Sequence, residues 1–498
     1  MQAKNLILKQ TYWVWCKVES MRSLRWLIDL LAISSNTMTT TAVNPYLDGN
    51  FAPVRKEITT DTLKVIGELP PDLSGMFVRN GPNPQWTPIG KYHWFDGDGM
   101  LHGVRLHNGK ATYRNCYVRT KGWQIENEAS KAVWSGLLEP PQPNLPSKNT
   151  GNTALIWHVG QLLALWEGGA PHAIQVPELA TIGEYTYNGN LSSAFTAHPK
   201  VDPVTGEMMF FGYSFAPPYL HYSVVSAAGE LLRTVPIELP MGVMMHDFAI
   251  TENYTIFMDL PLTFSVERMK RGEPMLMFER DRSSRFGIVP RHGDNSQIRW
   301  FETPSCYIFH TFNAYEDKDE VVLIACRMSS TTVLGSKDTD SDADIPRLHR
   351  WSFNLNTGKV HEEMLDDVAA EFPRVNENLL GRKTQYGYAG KAAKSLVPLF
   401  DGLIKYDFNN AKSQTHEYGR ERYGGEPVFV PRPHTTAEDD GWLLTYVHDA
   451  DENTSELVVV NAQDMNSEPV ARVLIPQRVP YGFHGAWVSE EQLNFGRI

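Results

Sequence analysis

The sequence predicts an all-β chain folded as a β-propeller. Three observations carry this. From Asn44 onward, short runs of Val, Ile, Phe, Tyr and Thr alternate with turns rich in Gly, Asp, Asn and Pro. One hairpin form keeps returning along the chain. No long amphipathic helices alternate with the strands, which excludes a doubly wound α/β fold.

The hairpins come in order. Val104-Arg105-Leu106 turns at His107-Asn108-Gly109-Lys110 into Ala111-Thr112-Tyr113. The segment after His198 turns at Asp202 to Glu207 into Met208-Met209-Phe210-Phe211. Tyr222 to Val225 turns at Ala227-Ala228-Gly229-Glu230 into Leu231-Leu232. His349 to Asn354 turns at Asn356-Thr357-Gly358-Lys359, and Ile404 to Phe408 turns at Asn409-Asn410-Ala411-Lys412. These turns put Gly or Asn where φ must be positive. Repeated hairpins suggest radially arranged sheets. Their period is irregular, so the repeat is one of structure, faint in sequence. Thr39 to Ile58 and the C-terminal strands are expected to close the ring. Three segments read as loops that roof the central site: Glu139 to Pro146, Leu262 to Pro290 and Lys391 to Ile404. The second mixes Phe264, Val266, Met269, Met275, Leu276, Met277 and Phe278 with basic residues. It suits a membrane patch, an apolar tunnel or a covered loop cluster.

Composition narrows the function classes. The chain has 498 residues, 42% of them hydrophobic, and a net charge of −12. That balance argues against nucleic acid as a partner. Cys16, Cys116, Cys306 and Cys326 lie far apart without metal-ligand spacing and read as free thiols of a reducing compartment. No run is long and apolar enough to span a bilayer, and the N-terminus lacks the order of a secretion signal. A cytoplasmic protein is expected, in solution or at the periphery of a membrane. Residues 1–43 read as an N-terminal extension and 44–498 as one domain. Within the extension, Met21 to Ser34 has the pattern of an amphipathic helix. It is a docking helix, an upstream extension of a chain starting at Met38, or a helix lying in a membrane interface.

Four of the sixteen histidines lie in or beside apolar or small-residue strand starts: His198, His246, His310 and His484. Only a closed fold could converge residues so widely separated, and a propeller does so because its innermost strands face the axis. Spacing alone does not assign them. Other motifs fail. Asp338, Asp340, Asp342 and Asp344 suggest a calcium loop, but Ala343 and His349 stand where its glycine and glutamate belong. Phe95 to Gly99 is followed by no Lys-Ser/Thr pair, so it is no phosphate loop. No GxSxG elbow is present.

Several longer motifs, in order, resemble the carotenoid cleavage oxygenase family. They are Asn44-Pro-Tyr-Leu-Asp-Gly-Asn-Phe-Ala-Pro-Val54, Leu69-Pro-Pro-Asp-Leu-Ser-Gly75, Phe77-Val-Arg-Asn-Gly-Pro-Asn83 and Trp94-Phe-Asp-Gly-Asp-Gly-Met100. Glu371-Phe-Pro-Arg374, Glu426-Pro-Val-Phe-Val430, Glu438-Asp-Asp-Gly441 and Gly482-Phe-His-Gly485 continue the match to the end of the chain. The resemblance implies a seven-bladed propeller with a helical and loop cap over an axial non-haem Fe(II). It implies His198, His246, His310 and His484 as the ligands. It implies Glu167, Glu371 and Glu426 as carboxylates behind them, assigned here to His246, His310 and His484 respectively, with His198 lacking one. Thr153 matches a position beside the open side of the iron. Neutral imidazoles suit iron, and an all-nitrogen site with open positions can take O2.

The expected reaction is O2-dependent cleavage of a C=C bond of a carotenoid, at 9,10 and 9′,10′, to aldehydes or ketones. Within the family the alternatives are 15,15′ cleavage of an apocarotenoid and cleavage of a stilbene. Outside it they are a calcium-dependent propeller hydrolase or lactonase and a non-catalytic interaction propeller.

Overall fold

The computed structural model describes residues 44–139, 142, 144–331, 344–395 and 397–495. The expectation for Met21 to Ser34 and the positions Asp338, Asp340 and Asp342 lie outside them. Five separate sheets of four or five strands are present, together with one ten-stranded sheet. The ten-stranded sheet is two meanders bridged by the strand Arg422–Gly424. One meander is Ala370–Arg374, Tyr386–Ala392, Phe400–Asp407 and Lys412–Glu417. The other runs Val428–Pro431, Gly441–Asp449, Thr454–Asn461, Ala471–Ile475 and then Val65–Gly67. Counting these two halves separately gives seven sheets of four or five strands among the described residues, besides one two-stranded hairpin.

The core explains why the sheets form a ring. Numbered in chain order, the seven sheets contain Gly75–Pro82, Ala154–His158, Lys200–Val201, Ala249–Ile250, Tyr307–Asp317, Ala370–Arg374 and Val428–Pro431 respectively, and each successive pair shares one apolar layer. Leu163 and Leu165 of the second sheet pack with Met208 and Phe210 of the third, and Phe211 and Tyr222 with Ile250 and Phe257 of the fourth. Phe286 meets Trp351 and Phe353 of the fifth. Ile324 meets Ile404 and Tyr406 of the sixth, and Leu403 meets Leu443 and Val458 of the seventh. The seventh then packs Trp442 and Leu457 against Phe77 and Val104 of the first, and the first packs Met76 and Val78 against Leu155 and Leu162 of the second. A closed series of face-to-face sheets is a propeller. Outer strands such as Lys110–Tyr117 alternate buried and half-buried residues, whereas Gly75–Pro82 is buried throughout, because inner strands are covered on both faces.

The five hairpins form where the sequence places them. Asn108 and Gly109 adopt φ of 50° and 69° in the turn between Gly99–His107 and Lys110–Tyr117. Two expectations fail. Thr39 to Ile58 does not close the ring: its described part forms the 3-10 turns Pro45–Leu47 and Gly49–Phe51. Closure is made later in the chain, where Val65–Gly67 pairs with Ala471–Ile475 and Gly75–Pro82 pairs with Gly485–Ser489. The loops at Leu262 to Pro290 and Lys391 to Ile404 are shorter than read. Ser284–Pro290 is an interior strand of the fourth sheet, and Phe400–Asp407 is a strand of the sixth. What remains of the first is a hairpin, Leu262–Phe264 with Leu276–Phe278, holding the short helix Val266–Lys270. Cys116, Cys306 and Cys326 are free thiols. No described helix is long and apolar enough to cross a membrane.

Candidate metal centre

Each of the four histidines sits at the inner edge of a sheet. His198 comes just before Lys200–Val201, and its amide donates to Thr196 Oγ1 at 3.0 Å. His246 comes just before Ala249–Ile250. His310 lies within Tyr307–Asp317, where the pairing shifts register between Ile308 and Thr311. Such an irregularity re-aims a side chain. His484 precedes Gly485–Ser489; its amide donates to the Thr153 carbonyl at 3.2 Å and its carbonyl accepts from the Asn80 amide at 3.0 Å.

The four rings converge, with one nitrogen of each lying within 4.8 Å of the others. His246 Nε2 is 3.1 Å from His198 Nε2 and 3.2 Å from His310 Nε2. Nitrogens bonded at right angles to one metal at about 2.1 Å would stand about 3.0 Å apart. The donor set therefore fits a transition metal by spacing as well as by type.

Three carboxylates stand behind the rings. His246 Nδ1 is 2.7 Å from Glu167, His310 Nδ1 is 2.6 Å from Glu371, and His484 Nδ1 is 2.9 Å from Glu426. His198 has no carboxylate partner among the described residues. A carboxylate can only accept, so it holds the proton on Nδ1 and leaves the Nε2 lone pair facing inward. Three inward lone pairs repel one another unless a cation lies between them. Burial, followed by the other three imidazoles and Lys200, pushes His198 well below its ordinary pKa and keeps it neutral. Burial also lowers His484, against the pull of Glu426. For His310 burial acts downward too, but Glu371, Asp247 and Glu426 together raise it. Burial opposes the Glu426 charge, yet Arg374, His484 and the Gly485 amide hold its carboxyl down to about 2.

Further residues shape the site that the sequence did not single out. Tyr213 donates to Glu167 Oε1 at 2.7 Å. Phe309 lies edge-on to His246 at 5.4 Å, and Phe372 lies 5.6 Å from His310 and 5.0 Å from His484. Phe372 has φ of 57°, a left-handed conformation unusual for a bulky residue, directly after Glu371. With Phe51, Trp94, Phe400 and Phe483 it forms an aromatic cluster over this side of the axis. Phe309 and Phe372 each adjoin a singled-out residue in the chain, and that adjacency was the available signal. Thr153 donates through Oγ1 to Asn152 Oδ1 at 2.9 Å. Asp344, the described member of the aspartate run, accepts from Ser330 at 2.7 Å.

Residues 51–489 match the model of the family described as retinal pigment epithelial membrane protein. A carotenoid 9,10(9′,10′)-cleavage dioxygenase of Crocus sativus is 44% identical over 90% of this chain and 90% of its own. The chain belongs to the carotenoid cleavage oxygenase family. Among solved structures, a lignostilbene dioxygenase of Pseudomonas brassicacearum superposes with a TM-score of 0.83 at 31% identity, over 91% of this chain and 100% of that one. The cobalt-substituted enzyme of Synechocystis abbreviated ACO gives 0.79 at 30%, over 88% and 97%. Within this family frame the calcium-dependent hydrolase has little support. Calcium takes oxygen ligands, and here four nitrogens face the centre while the carboxylates stand behind them.

Proposed function

We propose that this carotenoid cleavage oxygenase is a non-haem Fe(II) dioxygenase acting on a carotenoid at the 9,10 and 9′,10′ double bonds, giving apocarotenoid aldehydes or ketones. The observation that carries it is the convergence of four imidazoles, three of them backed by carboxylates at Nδ1. His198, His246, His310 and His484 would hold the metal. Fe(II) with open coordination positions supplies O2 activation when bound. The chain's own groups do the rest. Glu167, Glu371 and Glu426 keep protons on the outer ring nitrogens and fix the ring planes. Thr153 limits what enters beside the open side. Phe309 and Phe372 give the imidazoles an apolar flank that excludes water and suits a polyene. No side-chain acid or base is needed, and none is assigned.

Such a substrate offers few hydrogen bonds, so tunnel length and shape select the bond. Identity to the 9,10-cleaving relative exceeds that to the stilbene-cleaving one, which favours a carotenoid. Residues 44–498 act as one catalytic unit, with 1–43 as an extension. Contact with a membrane surface is supported by Phe215 and Val266, which are 56% and 41% exposed, whereas Lys270 and Arg271 beside Val266 are paired with Glu267 and Glu273. The test is metal analysis of purified protein, then incubation with intact carotenoids and mass identification of the products. Iron near one per chain and 9,10 products are expected. Calcium in place of iron, or products from a stilbene alone, would overturn the assignment.

A further inference from the structure

The segments carrying three of the four imidazoles are tied together by one buried carboxylate. Asp247 follows His246 and is 1% exposed. Its Oδ1 accepts from Lys200 Nζ at 2.7 Å and from the Phe248 amide at 2.8 Å. Its Oδ2 accepts from the Thr311 amide at 2.8 Å and the Thr311 hydroxyl at 2.9 Å. Lys200 is two residues past His198, and Thr311 is the residue after His310. One side chain thus touches the neighbours of three imidazoles from three consecutive sheets.

The sheet ladders cannot do this work. The strand Tyr307–Asp317 changes register on both sides of Thr311, and Asp247 accepts the amide at that irregularity. Lys200–Val201 and Ala249–Ile250 are only two residues long, too short for pairing alone to hold a side chain in place. The fourth imidazole is held otherwise, through Thr153 and Asn80.

We infer that Asp247 is a positioning residue for the metal centre, setting the mutual placement of His198, His246 and His310 through Lys200 and Thr311. This rests on the metal-binding reading of the four histidines. A charged acceptor with four donors in a buried setting is rigid, because releasing any arm strands a buried polar group. The three nitrogens are therefore preset before any metal arrives.

Co(II) alone is the probe, since its visible absorption reports ligand geometry. Asp247→Asn keeps an acceptor oxygen and removes the charge. It should weaken Co(II) binding by about tenfold or more and shift the absorption bands. Asp259→Asn breaks the buried pairs with Arg282 and Arg285 elsewhere in the fourth sheet. It should lower Tm and leave both Co(II) readouts unchanged. Unaltered affinity and spectrum in Asp247→Asn overturn the inference, whatever its Tm. Should that variant not fold, Lys200→Met removes the ammonium donor and Thr311→Val the hydroxyl donor, leaving the Thr311 amide in place; both behaving like the unsubstituted protein overturns it equally. An unsubstituted chain that binds no Co(II) defeats the metal reading itself and the inference with it, whereas failure in the variants alone defeats only the role of Asp247.

Discussion

Glu371 offers the sharpest prediction, because its contacts allow a graded loss. Its Oε2 lies 2.6 Å from His310 Nδ1 and also accepts from the Phe372 amide. A hydrogen bond to an ionised group contributes about 1.5–3 kcal/mol, roughly twice a neutral one. Glu371→Ala removes the acceptor and frees His310 to carry its proton on Nε2, where it cannot bind a metal. Each 1.4 kcal/mol is about tenfold in affinity, so metal binding should weaken by about 10- to 100-fold. Glu371→Gln retains an oxygen acceptor and loses only the charge. Its loss should be about half as large in free energy, or several-fold to tenfold in affinity. The assay is anaerobic competition for Fe(II) against a chromophoric chelator, with circular dichroism to show that the sheets persist. An alanine variant that binds Fe(II) as tightly as the unsubstituted chain, or a glutamine variant weaker than the alanine one, would refute the reasoning.

Other outcomes follow from the same contacts. His310→Ala should abolish iron binding and turnover while leaving the circular dichroism of the propeller intact; retained activity would remove it from the ligand set. Gly482→Ala would place a methyl group on Arg79 Nη1, two residues before His484. It should cost about 1–3 kcal/mol and lower Tm in a thermal melt. Asp202 is buried against Arg291 and Arg382. Burial opposes its charge, but the Thr205 and Val204 amides and the two arginines carry it from 3.8 down to about 2. Its folded pKa lies below the unfolded one, so its stabilisation is full above about pH 4 and disappears as pH falls through about 2. Asp202→Asn should flatten that acid limb in denaturant titrations; an unchanged limb would rule this carboxylate out as its source.

The ring of hairpins was legible because turn chemistry is local. Gly229, Gly358 and Ala411 take φ of 85°, 74° and 49° where the sequence marked a turn. The interior strand Ser284–Pro290 was not legible, and the reason is tertiary. Gly287 reads as a breaker in isolation, yet a Cβ there would collide with the Trp300 ring, so glycine serves a close approach between paired strands. The C-terminal strands close the ring as expected, but their N-terminal partner was misplaced for a similar reason. Val65–Gly67 has no strand-like length of its own and is defined by its partner Ala471–Ile475. The four histidines could be chosen from their apolar settings but grouped only through the family resemblance. Asp247 adjoins His246 in plain view, but a carboxylate reveals its partners only when Lys200 and Thr311 are seen around it.

Closure has a consequence for the order in which the site can assemble. The last imidazole is seated by Thr153 and Asn80 from the first two sheets, while it lies on the tail that zips onto Gly75–Pro82. Before that pairing forms, at most three of the four nitrogens are in place. A bound metal would thus gain its fourth imidazole only once Gly485–Ser489 has paired with Gly75–Pro82. Truncation just before His484 should accordingly leave a protein that takes up metal weakly and releases it readily, measurable by dialysis against a chelator.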